Sequence, residues 1–176
     1  MLQMDVDLPT APDPADPFEF YNFDADRNDS PGLTIIKGGS GPNEGDPAKH
    51  QHWQTPPLPA AVTIQGQATV KLWSATKDFD VTKGGRISVY LRDCVGSDCV
   101  GLSGGTVSDP NWQRGSASWV LKTLTFTTGT HAVAAGHSLE LVVIVEGSSD
   151  DDMWFAYDTN SCKSRVTLSG SFDVPW

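Results

Sequence analysis

The stretch VTIQGQATVKLWS, residues 62–74, alternates apolar and polar side chains with a period of two residues. Successive side chains of a β-strand point to opposite faces, so Ala68, Val70 and Leu72 are predicted to share one face. Gly66 lies inside this pattern and indicates a bend or bulge, because a glycine weakens a strand interior. The stretch therefore predicts a strand that buries one face in a core.

The same alternation returns in several later segments of the chain. The stripes predicted to face the core are Ile87, Val89 and Leu91; Val120, Leu124 and Phe126; and Leu139, Leu141, Val143 and Val145. Turn residues separate these segments at short intervals, and the helical period is absent. The pattern predicts an all-β protein, a jelly-roll sandwich of about eight to ten strands.

The chain of 176 residues suits one domain with a sizeable core. Residues 1–17 are rich in Pro and Asp and lack periodicity, so they are predicted to form an extended tail. They also lack the basic and apolar regions of a secretory signal. Residues 18–176 are predicted to form a single β-sandwich domain.

The net charge of the chain limits the classes of partner that it is expected to bind. The formal net charge is -10, which disfavours binding to nucleic acid and to anionic membrane surfaces. No apolar run approaches the length that crosses a membrane, so membrane insertion is not expected. Hard cations are the natural partners of such a surface.

One candidate cation site is the stretch FDADRNDSPG, residues 23–32. Counted from Asp24, oxygen-bearing side chains occupy the first, third and fifth positions of this loop, namely Asp24, Asp26 and Asn28. Such spacing is typical of calcium loops, because Ca²⁺ takes six to eight oxygen ligands. The stretch is not an EF-hand, since Asp29 replaces the glycine of position six and Ile35 replaces the glutamate of position twelve.

A calcium site in this loop would need ligands from elsewhere in the chain. An acidic cluster precedes a late strand and is the candidate source: Asp150, Asp151 and Asp152. Clustered carboxylates repel one another, and a divalent ion would relieve that repulsion. Calcium is therefore the candidate cofactor. The alternative is a solvated turn whose Asp side chains bond the backbone.

The three cysteines bear on the redox compartment. Cys94 and Cys99 frame CVGSDC just after a strand pattern, and we predict a disulfide between them, with two free thiols as the alternative. Cys162 has no evident partner and is predicted to be a buried or idle thiol. This cysteine usage favours an oxidising compartment, so an extracellular or cell-surface location is expected.

Two tryptophans are candidate ligand-binding residues. Trp73 is out of phase with the apolar stripe of its strand and is expected on the opposite face, while Trp112 falls in a predicted loop. Exposed aromatic rings can stack on sugars, which makes carbohydrate a candidate ligand. The alternative is that Trp73 is covered by a connection and that Trp112 plugs a loop.

Other polar residues carry weaker signals. His50 and His52 form an HxH pair, which can suit zinc or copper on a strand, but the pair is predicted to lie in a loop without a cysteine or a third histidine nearby. His137 is predicted to be a structural hydrogen-bonding residue. Glu140 alternates with apolar neighbours and is expected to point outward, so no carboxylate pair facing a cleft is predicted. These observations favour a protein that is not an enzyme.

Three segments resemble one known family. Residues 57–81 (PLPAAVTIQGQATVKLWSATKDFDV), residues 87–93 (ISVYLRD) and residues 134–143 (AAGHSLELVV) resemble the non-catalytic C-terminal jelly-roll domain of X-Pro dipeptidyl peptidases and cocaine esterase. Residues 23–41 and 151–168 also look like uncharacterised exported bacterial domains of this kind. The resemblance implies a galactose-binding-like β-sandwich without its own active site, since in those peptidases the chemistry sits on a separate α/β-hydrolase domain.

The function expected from the sequence is therefore a structural or accessory role. We expect a non-catalytic extracellular module that contacts other protein subunits or domains of a surface protein or assembly, with calcium as the candidate stabilising ion. Two alternatives stay open. The first is a carbohydrate-binding module, and the second is a self-assembling filament subunit that adds its N-terminal tail to the sheet of a neighbour.

Overall fold

The computed structural model describes residues 2–7, 33–77, 82–112, 119–156 and 164–172. All regular elements within these ranges are β-strands, and none is a helix that is long and apolar enough to cross a membrane. The strands are β1 (Leu2–Asp7), β2 (Leu33–Ile35), β3 (His50–Gln54), β4 (Val62–Thr76), β5 (Lys83–Val95), β6 (Asp98–Trp112), β7 (Val120–Val133), β8 (Ser138–Val145), β9 (Met153–Ala156) and β10 (Arg165–Phe172).

The strands form two antiparallel sheets. The first has the order β1-β10-β4-β9-β2, with β7 paired to the other edge of β4. The second has the order β3-β8-β5-β6. This arrangement confirms the predicted all-β jelly-roll sandwich, in which each sheet buries its inner face against the other.

The core between the sheets contains most of the predicted stripes, although Val120 is only partly buried. Ala68 and Val70 of β4 are fully buried, and so are Ile87 and Val89 of β5. The bend predicted at Gly66 is also present, because this residue has a φ of 95° and the β4–β7 register shifts beside it. A side chain at that φ would strain the backbone, which explains the glycine.

The second sheet is covered on its outer face as well. Every residue of β8 is buried, including Glu140, which lies on the face opposite to Leu139 and Leu141. The connection 36–49 supplies the cover: a Cβ on Gly39 would lie only 2.8 Å from the Cβ of Ile144. Glu140 therefore points away from the core between the sheets, as the sequence predicted, but it is buried because the face to which it points is itself covered.

The N-terminal segment joins the chain's own sheet. Residues 2–7, which the sequence assigned to a tail, pair with β10 over six residues, from Leu2 opposite Gly170 to Asp7 opposite Arg165. This strand occupies the edge of the first sheet. The segment that the filament alternative assigned to the sheet of a neighbour thus lies in an intramolecular ladder.

Candidate functional site

A buried polar cluster lies between the second sheet and the covering connection. Glu140 is 3% exposed, and each oxygen of its carboxylate contacts a basic side chain. Its Oε1 is 2.6 Å from Nδ1 of His52 on β3, and its Oε2 is 3.2 Å from Nε of Arg92 on β5. Arg92 also donates through Nη1 to the carbonyl of Pro42, which ties the covering connection to the cluster. We call Glu140, His52 and Arg92 the Glu140 cluster.

The strand register explains how these residues meet. Arg92 of β5 lies directly opposite Glu140 of β8, and His52 of β3 lies opposite Val142, one step along the same face. A carboxylate between two such partners is the arrangement that a buried charge needs, because unpaired ions are costly away from water. The cluster was missed in the sequence, and its only signal there was one acidic residue inside an otherwise apolar strand.

His50 lies beside the Glu140 cluster on the same strand as His52. The two imidazole rings make an edge contact with centroids 4.3 Å apart. Burial, together with repulsion from His52, lowers the pKa of His50 below its ordinary value of 6.5, and Glu44 and Asp46 oppose this only in part. The neutral imidazole is therefore the form that the fold favours.

This pKa shift predicts a loss of stability in mild acid. The pKa of His50 is lower in the folded chain than in the unfolded chain, so its contribution is present above about pH 6.5 and is lost as pH falls through the folded pKa. Urea unfolding between pH 7.5 and 5 should show a shallower decline for His50→Gln than for the parent. Equal declines in the two proteins would contradict this account.

His137 has the structural role that the sequence predicted. Its Nδ1 lies 2.8 Å from Oδ1 of Asp93, and its backbone carbonyl accepts a hydrogen bond from the N–H of Leu58. Gly136 donates in turn to the carbonyl of Leu58. The turn before β8 is thus fastened to the connection before β4.

Asp150 and Asp152 fasten the loop after β8 to the start of β5 and to the residues that follow β2 and β4. Oδ2 of Asp150 accepts from the N–H of Gly84 at 2.8 Å, and the Asp150 N–H donates to the Gly84 carbonyl. Oδ1 of Asp152 accepts from the N–H of Lys37, and its Oδ2 lies 3.5 Å from Nζ of Lys77. In the part of the chain that the structure describes, the three carboxylates of the acidic cluster 150–152 do not converge as a metal-ligating group.

The structural role of Asp150 leads to a testable expectation. Asp150→Ala removes the acceptor for the Gly84 N–H and should lower the free energy of unfolding by about 1 kcal/mol, the usual contribution of one hydrogen bond. The loss should be the same in millimolar calcium and in chelator, as measured by urea unfolding. A loss found only with calcium would instead assign Asp150 to an ion.

The other half of the predicted calcium site lies outside the described residues. This applies to Asp24, Asp26, Asn28 and Asp29, and the joint site with the late acidic cluster stays a prediction.

Cys162 also lies outside the described residues. The predicted disulfide between Cys94 and Cys99 is formed, and it closes the hairpin between β5 and β6.

The two candidate tryptophans have different environments. Trp73 is half-buried on the outer face of the first sheet, opposite Leu121 of β7 and Ala156 of β9. Trp112 ends β6 and is fully buried, with Nζ of Lys122 4.4 Å from its ring centroid. The expectation that Trp112 is an exposed ring was therefore wrong, because it packs into the end of the sandwich.

Residues 101–105, GLSGG, have the G-x-S-x-G spacing of a nucleophile elbow, which the sequence interpretation overlooked. An elbow places its serine on a sharp turn between a strand and a helix. Here the five residues lie within β6, and the Ser103 hydroxyl donates to the carbonyl of Thr127 at 2.5 Å. The local structure is an edge of a sheet and lacks the strained turn that exposes a nucleophile.

No family model matches the chain, and no curated protein matches it. Solved structures do. An aminopeptidase from a marine sediment Thaumarchaeota archaeon matches with a TM-score of 0.67 and 10% identity over 98% of this chain and 37% of its own. An α-amino acid ester hydrolase matches with a TM-score of 0.62 and 13% identity, over 79% of this chain and 28% of its own.

A CocE/NonD family hydrolase from Staphylococcus aureus also matches, with a TM-score of 0.58 and 11% identity, over 69% of this chain and 30% of its own. The chain thus spans between 28 and 37% of the length of these hydrolases. At such identities the likeness shows the fold alone. It confirms, at the level of fold, the resemblance to the C-terminal jelly-roll domain of X-Pro dipeptidyl peptidases and cocaine esterase.

The fold therefore defines the chain as a jelly-roll β-sandwich domain of the kind that occurs as a minor part of larger hydrolases. Its described residues are all-β and do not contain a catalytic α/β fold.

Proposed function

We propose that the chain is a non-catalytic accessory or structural module of a larger exported or surface protein, or of a surface assembly. The observation that carries this proposal is the asymmetry of the structural matches. The likeness to the archaeal aminopeptidase takes in 98% of this chain but only 37% of the aminopeptidase. A domain that occupies such a share of a hydrolase has the size of an attached module.

The chemistry of the described residues supports the same proposal. Three polar side chains of types that serve in catalysis are engaged in structural bonds: Ser103 bonds a backbone carbonyl, His137 bonds Asp93, and His52 bonds Glu140. The Cys94–Cys99 disulfide supports an oxidising compartment. The other domains or subunits of such a protein are the expected partners.

An antibody raised against the purified chain tests this proposal in fractionated source cells. We expect a band well above 18.9 kDa, or a stable cross-linked complex, in the exported or surface fraction. Detection only as a monomeric 18.9 kDa band in the intracellular fraction would overturn it. A non-reducing gel of the same fractions reports whether the disulfide forms in the cell.

Calcium is the ion that we propose for stabilising the module. The proposal rests on the acidic loop around Asp24 and Asp26 and on the overall charge of -10. A ligand that binds only the folded chain raises its melting temperature, so melts in millimolar calcium and in chelator provide the test. An unchanged midpoint in both the parent and Asp24→Asn would remove calcium from the proposal.

Carbohydrate binding is a second candidate, favoured by the outer face of the first sheet. The half-buried Trp73 shares this face with Thr69, further along β4, whose Oγ1 lies 3.4 Å from Oγ1 of Thr125 on the neighbouring strand. A ring and hydroxyl groups on one face can combine stacking with hydrogen bonds to a sugar. A glycan array with Trp73→Ala as control tests this; a signal that survives the substitution, or no signal at all, would reject it.

A further inference from the structure

The disulfide hairpin lies against the buried carboxylate of Glu140. Cys94 of β5 lies opposite Ser138 of β8, which is on the same face of β8 as Glu140. The Sγ of Cys94 is 3.4 Å from Oε2 of Glu140. Cys99 faces Cys94 across the hairpin. One ligand atom each from Cys94, Cys99 and Glu140 lies within 4.8 Å of the other two. Two sulfurs and a carboxylate oxygen therefore converge, although Glu140 is 46 residues from Cys94 in sequence.

In the oxidised hairpin the two sulfurs make no hydrogen bond to the Glu140 carboxylate. A disulfide sulfur carries no proton, so the contact of Cys94 with Glu140 is not a hydrogen bond while the bridge is closed. A thiol or phosphine reductant would supply two electrons, which together with two protons break the S–S bond and give two thiols. The Cys94 thiol would then face the carboxylate as a donor, and the partly exposed Cys99 would face solvent.

We propose that the reduced hairpin is a zinc site, with Sγ of Cys94, Sγ of Cys99 and Oε2 of Glu140 as ligands. Zinc binds thiolates and carboxylates in tetrahedral sites, and binding releases the two thiol protons to solvent. Zn–S bonds of about 2.3 Å place two sulfurs about 3.8 Å apart, which opening of the disulfide allows. Water takes the fourth position from the exposed side of Cys99.

The groups around the three ligands balance the negative charge that the ligands carry. Two thiolates and one carboxylate carry three negative charges, which Zn²⁺ and the guanidinium of Arg92 balance. His52 holds the other carboxylate oxygen at 2.6 Å and so fixes its orientation, as outer partners of metal ligands commonly do. The sulfur ligands favour zinc over the hard cations calcium and magnesium.

Cobalt(II), a coloured substitute for zinc, provides the test. The full chain carrying Cys162→Ser is reduced with a phosphine under anaerobic conditions, so that Cys94 and Cys99 are the only thiols. We expect thiolate-to-cobalt absorption that saturates at one equivalent and disappears when zinc is added. The oxidised chain should give no such band. Absence of the band from the reduced chain would overturn the proposal.

Matched variants assign the ligands. Cys94→Ser and Cys99→Ser should each weaken zinc binding by more than tenfold, and Glu140→Gln by at least about tenfold. Asp98→Asn, which changes an exposed acid in the same hairpin, should leave the affinity unchanged. Equal affinity in Cys94→Ser would contradict the site. If the reduced chain unfolds without metal, recovery of its far-ultraviolet circular dichroism with zinc supports the proposal, and failure to recover rejects it.

Discussion

Glu140→Ala should lower the free energy of unfolding by about 3–5 kcal/mol, because it leaves the buried Arg92 without its carboxylate partner. For a chain of this length, such a loss corresponds to a melting temperature roughly 6–20 °C lower. The substitution also frees His52 from its 2.6 Å contact. Urea unfolding, monitored by tryptophan fluorescence, measures the effect.

Two variants separate charge from packing in the Glu140 cluster. Glu140→Gln retains an acceptor for Arg92 and should cost less than Glu140→Ala. The double variant Arg92→Met with Glu140→Met should lose less than the sum of its single variants, because neither ion is left unpaired. Asp98→Asn is the exposed control and should stay within about 0.5 kcal/mol of the parent. A loss below about 1 kcal/mol for Glu140→Ala would show that water reaches the cluster.

Trp112→Ala should lower the free energy of unfolding by about 3–5 kcal/mol, as removal of a buried aromatic side chain leaves a cavity. The ring fills the space above Gly85, where an added Cβ would lie 2.6 Å from its Cε3 atom. The Trp112→Ala variant also loses the cation–π contact with Lys122. Thermal and urea unfolding both measure the effect.

Trp73→Ala is the matched comparison for Trp112→Ala. Trp73 is only half-buried, so Trp73→Ala should lower the free energy of unfolding clearly less than Trp112→Ala does. Gly85→Ala should in turn be destabilising, because the rigid ring of Trp112 cannot move aside as a flexible side chain would. Parent-like stability of Trp112→Ala would contradict the position of the ring in the core and reopen its role as an exposed binding residue.

The core was predictable from the sequence because one-sided burial imposes a period of two on each strand. That rule identified Ala68, Val70 and Leu72, and it identified Leu139 and Leu141 in the partner sheet. The disulfide was predictable for a different reason. Cys94 and Cys99 flank a short turn, and a hairpin brings such residues opposite each other.

The Glu140 cluster was not predictable by the same rule. A period of two shows to which face a side chain points, but it does not show whether another segment covers that face. The cover over Glu140 is the connection 36–49, which has no periodicity of its own. The burial of Trp112 was not predictable for a related reason. Gly85 makes room for its ring, but in the sequence this glycine indicates only a turn.

The proposed role of this sandwich as a module without catalysis is tested most directly at Ser103. The purified chain is incubated with a fluorophosphonate probe and with p-nitrophenyl esters. We predict no labelling and no hydrolysis above the uncatalysed rate, since the Ser103 hydroxyl lies within β6 and bonds the Thr127 carbonyl. Stoichiometric labelling of Ser103, together with ester hydrolysis that Ser103→Ala abolishes, would contradict the account.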